Sequence, residues 1–97
     1  RMLENVRQLG GYLLDRLREM KERNSDKVVA VRGKGLLVGV EVAADANGIL
    51  NRCRERGLLV NLAGEKTVRM APPFIVSREQ LDDGVSTLED AIRAPRL

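Results

Sequence analysis

Arg69 is the residue in this 97-residue sequence whose type and position best suit ligand binding. It stands between Val68 and Met70 in a short apolar run that ends at Ala71 and two prolines. A guanidinium is permanently charged and can donate two parallel hydrogen bonds to one carboxylate. The prolines restrict the backbone that follows it. Two interpretations remain open from the pattern alone: an anion-binding arginine, and a structural salt bridge on the face of a sheet.

Three other groups of potentially reactive residues indicate a structural role instead of catalysis. The sequence Arg-Gly-Lys-Gly at residues 32–35 is superficially like a phosphate-binding loop. It lacks the earlier glycine and the Ser or Thr after the lysine that such a loop needs, so it predicts a hairpin turn. Cys53 falls on an apolar helical stripe, which predicts a buried, unreactive thiol. The carboxylates near the C-terminus, Asp82, Asp83, Glu89 and Asp90, are expected to form a solvated helix face.

The composition excludes several classes of function. With no histidine and a single cysteine, the chain has no histidine base, no Cys/His metal cluster and no internal disulfide. Its two aromatic residues, Tyr12 and Phe74, cannot form a base-stacking platform, and a net charge of +3 on a mixed surface does not predict nucleic-acid binding. No apolar run approaches the roughly 20 residues of a membrane span. We therefore expect a soluble, cytoplasmic protein without a membrane or nucleic-acid partner.

The spacing of apolar residues predicts a long first helix over residues 2–23. Gly10 and Gly11 lie in its middle, where they either kink the helix or let another backbone approach closely, and the pattern does not distinguish these. β-Branched residues predict four short strands, at residues 28–31, 36–42, 58–60 and 67–70. Gly33, Lys34 and Gly35 form the predicted tight turn between the first two strands.

Two further helices complete the predicted order. Asp45 or Asn47 can begin the second helix, which ends at Gly57. The third helix has a capping box of Ser77 and Gln80, and its remaining signals are a staple of Val76 with Leu81 and a stop at Pro95. The resulting order α-β-β-α-β-β-α predicts an α+β sandwich, in which helices cover one face of a small antiparallel or mixed sheet.

Three ordered blocks, residues 31–42, 56–61 and 68–77, closely resemble the C-terminal small domain of class III, pyridoxal-phosphate-dependent aminotransferases. The acetylornithine and ornithine aminotransferases are the nearest subgroup, and the similarity extends to residues 4–10 of the first helix. The resemblance implies that residues 1–97 are this small domain of a fold-type I dimer, without the large cofactor-binding domain. The start of the chain at Arg1, inside a helical pattern and without Met, agrees with a piece of a longer polypeptide.

The resemblance also implies which site residues to expect. In the parent enzyme the large domain holds pyridoxal phosphate on a lysine, so neither Lys34 nor Lys66 is assigned that role, and no cofactor, metal or catalytic residue is expected on this chain. Arg69 matches the small-domain arginine that holds a substrate carboxylate. Residues 62–64 read Leu-Ala-Gly where Thr-Ala-Gly is frequent, so a contact from that threonine is not expected. The isolated chain is predicted to be inactive.

The implied parent reaction is transamination of N-acetylornithine with 2-oxoglutarate in arginine biosynthesis. The implied partners are the large domain of the same polypeptide, a second subunit, and amino-acid and 2-oxo-acid substrates. Without the resemblance, the residues also allow a different class of function. This is a stand-alone α+β module that binds a carboxylate through Arg69 or a partner through the first helix. A basic nucleic-acid module is a weaker third hypothesis.

Overall fold

The computed structural model describes residues 2–72 and 77–95, with side chains from Glu4 onward. Its elements are α1 (Met2–Arg23), β1 (Val28–Lys34), β2 (Leu37–Val42), α2 (Ala46–Glu55), β3 (Val60–Leu62), β4 (Thr67–Met70) and α3 (Arg78–Arg93). The predicted α+β class and element order are confirmed. The predicted staple residue Val76 and the aromatic Phe74 lie outside the described residues.

The four strands form one sheet in the order β1-β2-β4-β3, and every neighbouring pair is antiparallel. Two hairpins, β1–β2 and β3–β4, are joined by α2, and the second hairpin turns so that β4 lies beside β2. The mixed-sheet alternative is therefore wrong. This arrangement places β4 inside the sheet, with hydrogen-bonded strands on both of its sides.

The core lies on one face of the sheet, because apolar residues alternate along the central strands. Val38, Val40 and Val42 of β2 and Val68 and Met70 of β4 are all buried. Helix α1 packs over β1 and β2, helix α2 packs over β3 and β4, and α3 contacts both helices. The intervening strand residues therefore form an open face, on which charged and polar side chains are partly or fully exposed.

Gly10 allows α1 to approach the turn of the first hairpin. α1 is one uninterrupted helix, and a Cβ built on Gly10 would overlap the carbonyl oxygen of Gly35 and lie 2.7 Å from its carbonyl carbon. Gly11 is exposed, and a Cβ there would meet nothing within 4 Å. The close-approach interpretation is thus confirmed for Gly10, whereas Gly11 has no such neighbour.

The predicted boundaries of the first three strands were wrong by one to three residues. β1 continues through Lys34 and β2 begins at Leu37, so the turn lies at residues 35–36, where Gly35 has a φ of 60°. β3 begins at Val60 instead of Leu58, because the Leu58 N–H donates to the Cys53 carbonyl at 3.0 Å and so helps to end α2. Gly57, with a φ of 83°, has the left-handed backbone predicted for the end of that helix.

The residues predicted to cap α3 and α2 lie at the N-terminal ends of these helices. Ser77 and Gln80 form the capping box of α3 reciprocally, with hydrogen bonds of 3.1 Å and 2.9 Å. Asp45, not Asn47, occupies the N-cap position of α2, but with a left-handed φ of 64° and without the side-chain capping hydrogen bond that was predicted. Its carboxylate accepts a hydrogen bond from Arg52, which also donates to the Ala91 carbonyl of α3 at 2.7 Å. Arg52 therefore joins α2 to α3.

Glu89 joins α3 to the end of α1, which corrects the expectation of a solvated carboxylate. It accepts hydrogen bonds from Arg23 at 3.0 Å and from the side-chain amide of Asn24 at 2.7 Å, and it pairs with Arg93 at 3.1 Å. Asn24 is only 3% exposed and also donates to the Met20 carbonyl. The Arg23 guanidinium, more than any other group, holds the pKa of Glu89 below its ordinary value.

Replacement of Gly10 and Gly11 by alanine should change stability in opposite directions. Gly10→Ala should lower the free energy of unfolding by about 1–3 kcal/mol, because the added methyl meets backbone that must move. Gly11→Ala should raise it by about 1 kcal/mol, because alanine is the better helix former and the site is open. Urea unfolding of both variants measures this, and equal effects of the two would contradict the Gly10–Gly35 contact.

Glu89→Gln should remove a pH-dependent part of the stability. The pKa of Glu89 is lower in the folded state, so its contribution is fully present above the ordinary value of 4.5 and is lost as the pH falls through the folded-state pKa. The variant should therefore lose about 1–2 kcal/mol at pH 7 and less at pH 3. Urea unfolding at both pH values tests this, with the exposed Glu55→Gln as control. An equal loss at both pH values would count against the ion-pair network.

Candidate functional site

Arg69 lies on the open face of the sheet, in a row of residues that are paired across all four strands. The row runs from Arg32 on β1 through Gly39 on β2 and Arg69 on β4 to Asn61 on β3. Gly39, between the two arginines, has no side chain. A Cβ added there would lie 3.2 Å from the methyl group of Thr67.

The two arginines of this row differ in their partners. Arg32 pairs with Glu41 at 3.0 Å. Arg69 is exposed and has no hydrogen-bond or ion-pair partner in residues 2–72 and 77–95, a part of the chain that contains all fourteen acidic side chains. Of the two interpretations of Arg69, the structure therefore does not show the internal salt bridge. It leaves a guanidinium whose donors face solvent.

Arg69 lines a groove of about 370 Å³ at the β3 edge of the sheet. The other lining residues are Arg54, Leu59, Val60, Asn61 and Ala71. Leu59 is 86% exposed, which is unusual for a leucine and gives the groove an apolar wall beside its cations. The groove thus combines positive charge with apolar surface, as expected for the binding of a small organic anion.

Arg54 and Asn61 are groove residues that the sequence did not predict. Arg54, in the last turn of α2, reaches the edge strand and donates to the Val60 carbonyl at 3.1 Å and to the Asn61 side-chain oxygen at 3.2 Å. The sequence shows that Arg54 lies near the end of the second helix. It does not show that Arg54 lines the same groove as Arg69, because that depends on the register of β3.

The lysines of the chain do not form a site for an aldehyde cofactor. A lysine that reacts with such a cofactor is usually desolvated in an enclosed pocket. Lys27, Lys34 and Lys66 are exposed and Lys21 is half-buried on the surface of α1. The described residues therefore do not fit pyridoxal phosphate.

The remaining groups that could react or bind a metal are the thiol of Cys53 and the carboxylates. Cys53 is fully buried, and burial raises the pKa of its thiol, as predicted. In the part of the chain that the structure describes, no three Cys, Asp or Glu side chains are grouped as metal ligands. None of the helices described is both long enough and apolar enough to cross a bilayer.

Comparison with known proteins agrees with the geometry. The family model Aminotransferase class-III matches residues 1–92. The acetylornithine aminotransferase of Clostridium acetobutylicum is 44% identical over 90 residues, which are 92% of this chain and 23% of that protein. The acetylornithine aminotransferase of Methanosarcina acetivorans is 37% identical over 91 residues, which are 94% of this chain and 22% of that protein.

Solved structures show the same fold. The ornithine aminotransferase of Plasmodium yoelii superposes with a TM-score of 0.86 at 32% identity, over 95% of this chain and 25% of that one. The lysine aminotransferase of M. tuberculosis gives a TM-score of 0.88 at 30% identity, over 93% and 21%. The chain spans about a fifth to a quarter of the length of these relatives. The fold, the sequence blocks and the extent of the match show that this chain belongs to the class III aminotransferase family.

Proposed function

We propose that residues 1–97 are the C-terminal small domain of a pyridoxal-phosphate-dependent aminotransferase of the acetylornithine type, and that Arg69 binds a carboxylate of its substrates. The extent of the match supports the domain assignment, since the chain covers only 22–23% of acetylornithine aminotransferases from two organisms. The names of those relatives support N-acetylornithine as the amino donor. The family resemblance of the sequence implies 2-oxoglutarate as the acceptor and a place in arginine biosynthesis.

The unpaired guanidinium of Arg69 is the observation that carries the proposal. The arginines that stabilise this chain pair with a carboxylate, as Arg32 does with Glu41, or donate to backbone carbonyls, as Arg52 does to Ala91. Arg69 instead presents its donors in a groove. A carboxylate that enters can accept two parallel hydrogen bonds and place its apolar carbons against Leu59.

The position of Arg69 within the sheet suits an orienting role. β4 is hydrogen-bonded to β2 on one side and to β3 on the other, so its backbone is fixed by both neighbours. Rigid elements hold binding groups more accurately than loops do. A guanidinium has donors and no acceptor, so Arg69 orients the substrate and is not the acid or base of the reaction.

The chemistry of amino-group transfer requires the rest of the polypeptide. In the parent enzyme, pyridoxal phosphate supplies the electron sink of the reaction. Because the described lysines do not fit that cofactor, this chain contributes one wall of the substrate site. Its proposed partners are the large domain of the same polypeptide and a second subunit.

Arg69→Ala in the complete enzyme should raise the KM for 2-oxoglutarate about 10-fold to 100-fold, the effect of losing hydrogen bonds between charged groups. Arg69→Lys should recover part of this, because lysine keeps the charge and loses the bidentate geometry. Arg56→Ala is the control, since Arg56 pairs with Asp90 and does not line the groove. Steady-state kinetics measures these values, and an unchanged KM in both Arg69 variants would contradict the proposal.

The isolated chain should neither catalyse transamination nor form an absorption band with added pyridoxal phosphate. A spectrum of the chain with the cofactor, together with an assay of N-acetylornithine and 2-oxoglutarate, measures both. A lysine-dependent band or turnover would mean that the cofactor site is on this chain after all.

The stand-alone carboxylate-binding module is the alternative that the same groove supports. It predicts a native gene product of 10.8 kDa and saturable binding of glutarate to the chain, lost in Arg69→Ala. The domain assignment predicts a native product several-fold larger. An antibody against this chain and the intact mass of the captured protein distinguish the two.

A further inference from the structure

Asn61 presents an unused hydrogen-bond donor beside Arg69. Its side-chain oxygen accepts from Arg54 at 3.2 Å, and its amide nitrogen has no hydrogen-bond partner among the residues that the structure describes. Both Asn61 and Arg54 line the groove that contains Arg69. The role proposed for Arg69 leaves this pair without a function.

The chemistry of the pair fixes which end of the amide faces Arg54 and leaves the other end available to a ligand. A guanidinium carries donors and no acceptor, so the oxygen of Asn61 must face Arg54, and its NH₂ group must face away. Arg54 is itself held by a second hydrogen bond, to the Val60 carbonyl at 3.1 Å. The orientation of the amide is therefore set before any ligand binds.

The strand register brings this amide next to Arg69. Asn61 and Arg69 are direct partners in the antiparallel β3–β4 pair. Side chains of directly opposed residues have Cβ atoms about 4.5–5.5 Å apart and lie on the same face. A carboxylate has about four acceptor positions, so two remain when a guanidinium occupies the other two. An amide N–H at this distance can donate to one of the remaining positions.

We propose that Asn61 is a second contact of the carboxylate bound by Arg69, and that Arg54 is the positioning residue that orients its amide. This inference rests on the function proposed for Arg69. The proposed contact requires that the side chain of residue 61 is uncharged. An aspartate at position 61 would still accept from Arg54, but it would offer no N–H and would place a negative charge where the substrate carboxylate binds.

Asn61→Asp separates the donor role from a structural role. The substitution keeps the shape of the side chain and the acceptor for Arg54. In the complete enzyme it should raise the KM for 2-oxoglutarate by at least about 10-fold, and by more than Asn61→Ala, with a smaller change in kcat. Asn51→Asp, which makes the same change at an exposed position of α2, should leave both constants near the parental values. Thermal unfolding of each variant verifies that the fold is intact.

A double-mutant cycle tests the positioning role of Arg54. Arg54→Met should raise the KM about 3-fold to 10-fold in the parental enzyme, and it should have little further effect in the Asn61→Ala background. An equal effect in both backgrounds would show that Arg54 acts independently of Asn61, and would overturn its assignment as a positioning residue.

The same assay distinguishes failure of this inference from failure of the proposed function. If Arg69→Ala raises the KM but Asn61→Asp and Asn61→Ala do not, the second contact is wrong and the carboxylate role of Arg69 stands. If Arg69→Ala also leaves the KM unchanged, both are wrong. A higher KM in Asn61→Ala than in Asn61→Asp would mean that only the acceptor toward Arg54 matters, which would also overturn the proposed contact.

Discussion

The main-chain hydrogen bonds on both sides of β4 are the constraint on which the site depends. They hold β4 between β2 and β3, so Val68 and Met70 face the core and Arg69 faces the open side of the sheet. The core in turn requires α1 and α2 on the opposite face, where the alternating valines of β2 are buried. A shift of β4 by one residue would bury the guanidinium and expose the apolar side chains. Burial of the core and exposure of Arg69 are thus consequences of the same register.

Arg69 differs from the arginines that connect elements of the fold. Arg23 and Arg93 hold Glu89, Arg52 holds Asp45 and the end of α3, and Arg32 holds Glu41. Arg23 joins α1 to α3, Arg32 joins β1 to β2, and Arg52 joins α2 to α3 through the Ala91 carbonyl, so these arginines serve the fold. The backbone of Arg69 is paired with strands on both sides, yet none of the described carboxylates pairs with its guanidinium. The free guanidinium supports the proposal that this chain supplies one wall of a substrate site.

The sequence predicted much of this because its strongest signals are local. The period of α1, the capping box of Ser77 and Gln80, and the alternation around Arg69 each span only a few residues or one face, and all are confirmed. The features that were missed depend on long-range geometry. Glu89 accepts hydrogen bonds from residues more than sixty positions earlier in the chain. Asn61 faces Arg69 only because Leu58 is used to end α2, which moves β3 along the chain. Neither contact leaves a pattern in the nearby sequence.

The most direct test of the central claim is a crystal structure of the complete polypeptide with glutarate bound as a dicarboxylate. If Arg69 binds the substrate, two oxygens of one carboxylate should lie about 2.7–3.2 Å from its guanidinium nitrogens, on the open face of the sheet. Pairing of Arg69 with a carboxylate of the protein itself, with glutarate bound elsewhere, would contradict this role. In that case the arginine would serve the packing of this domain against its neighbour, and not the recognition of substrate.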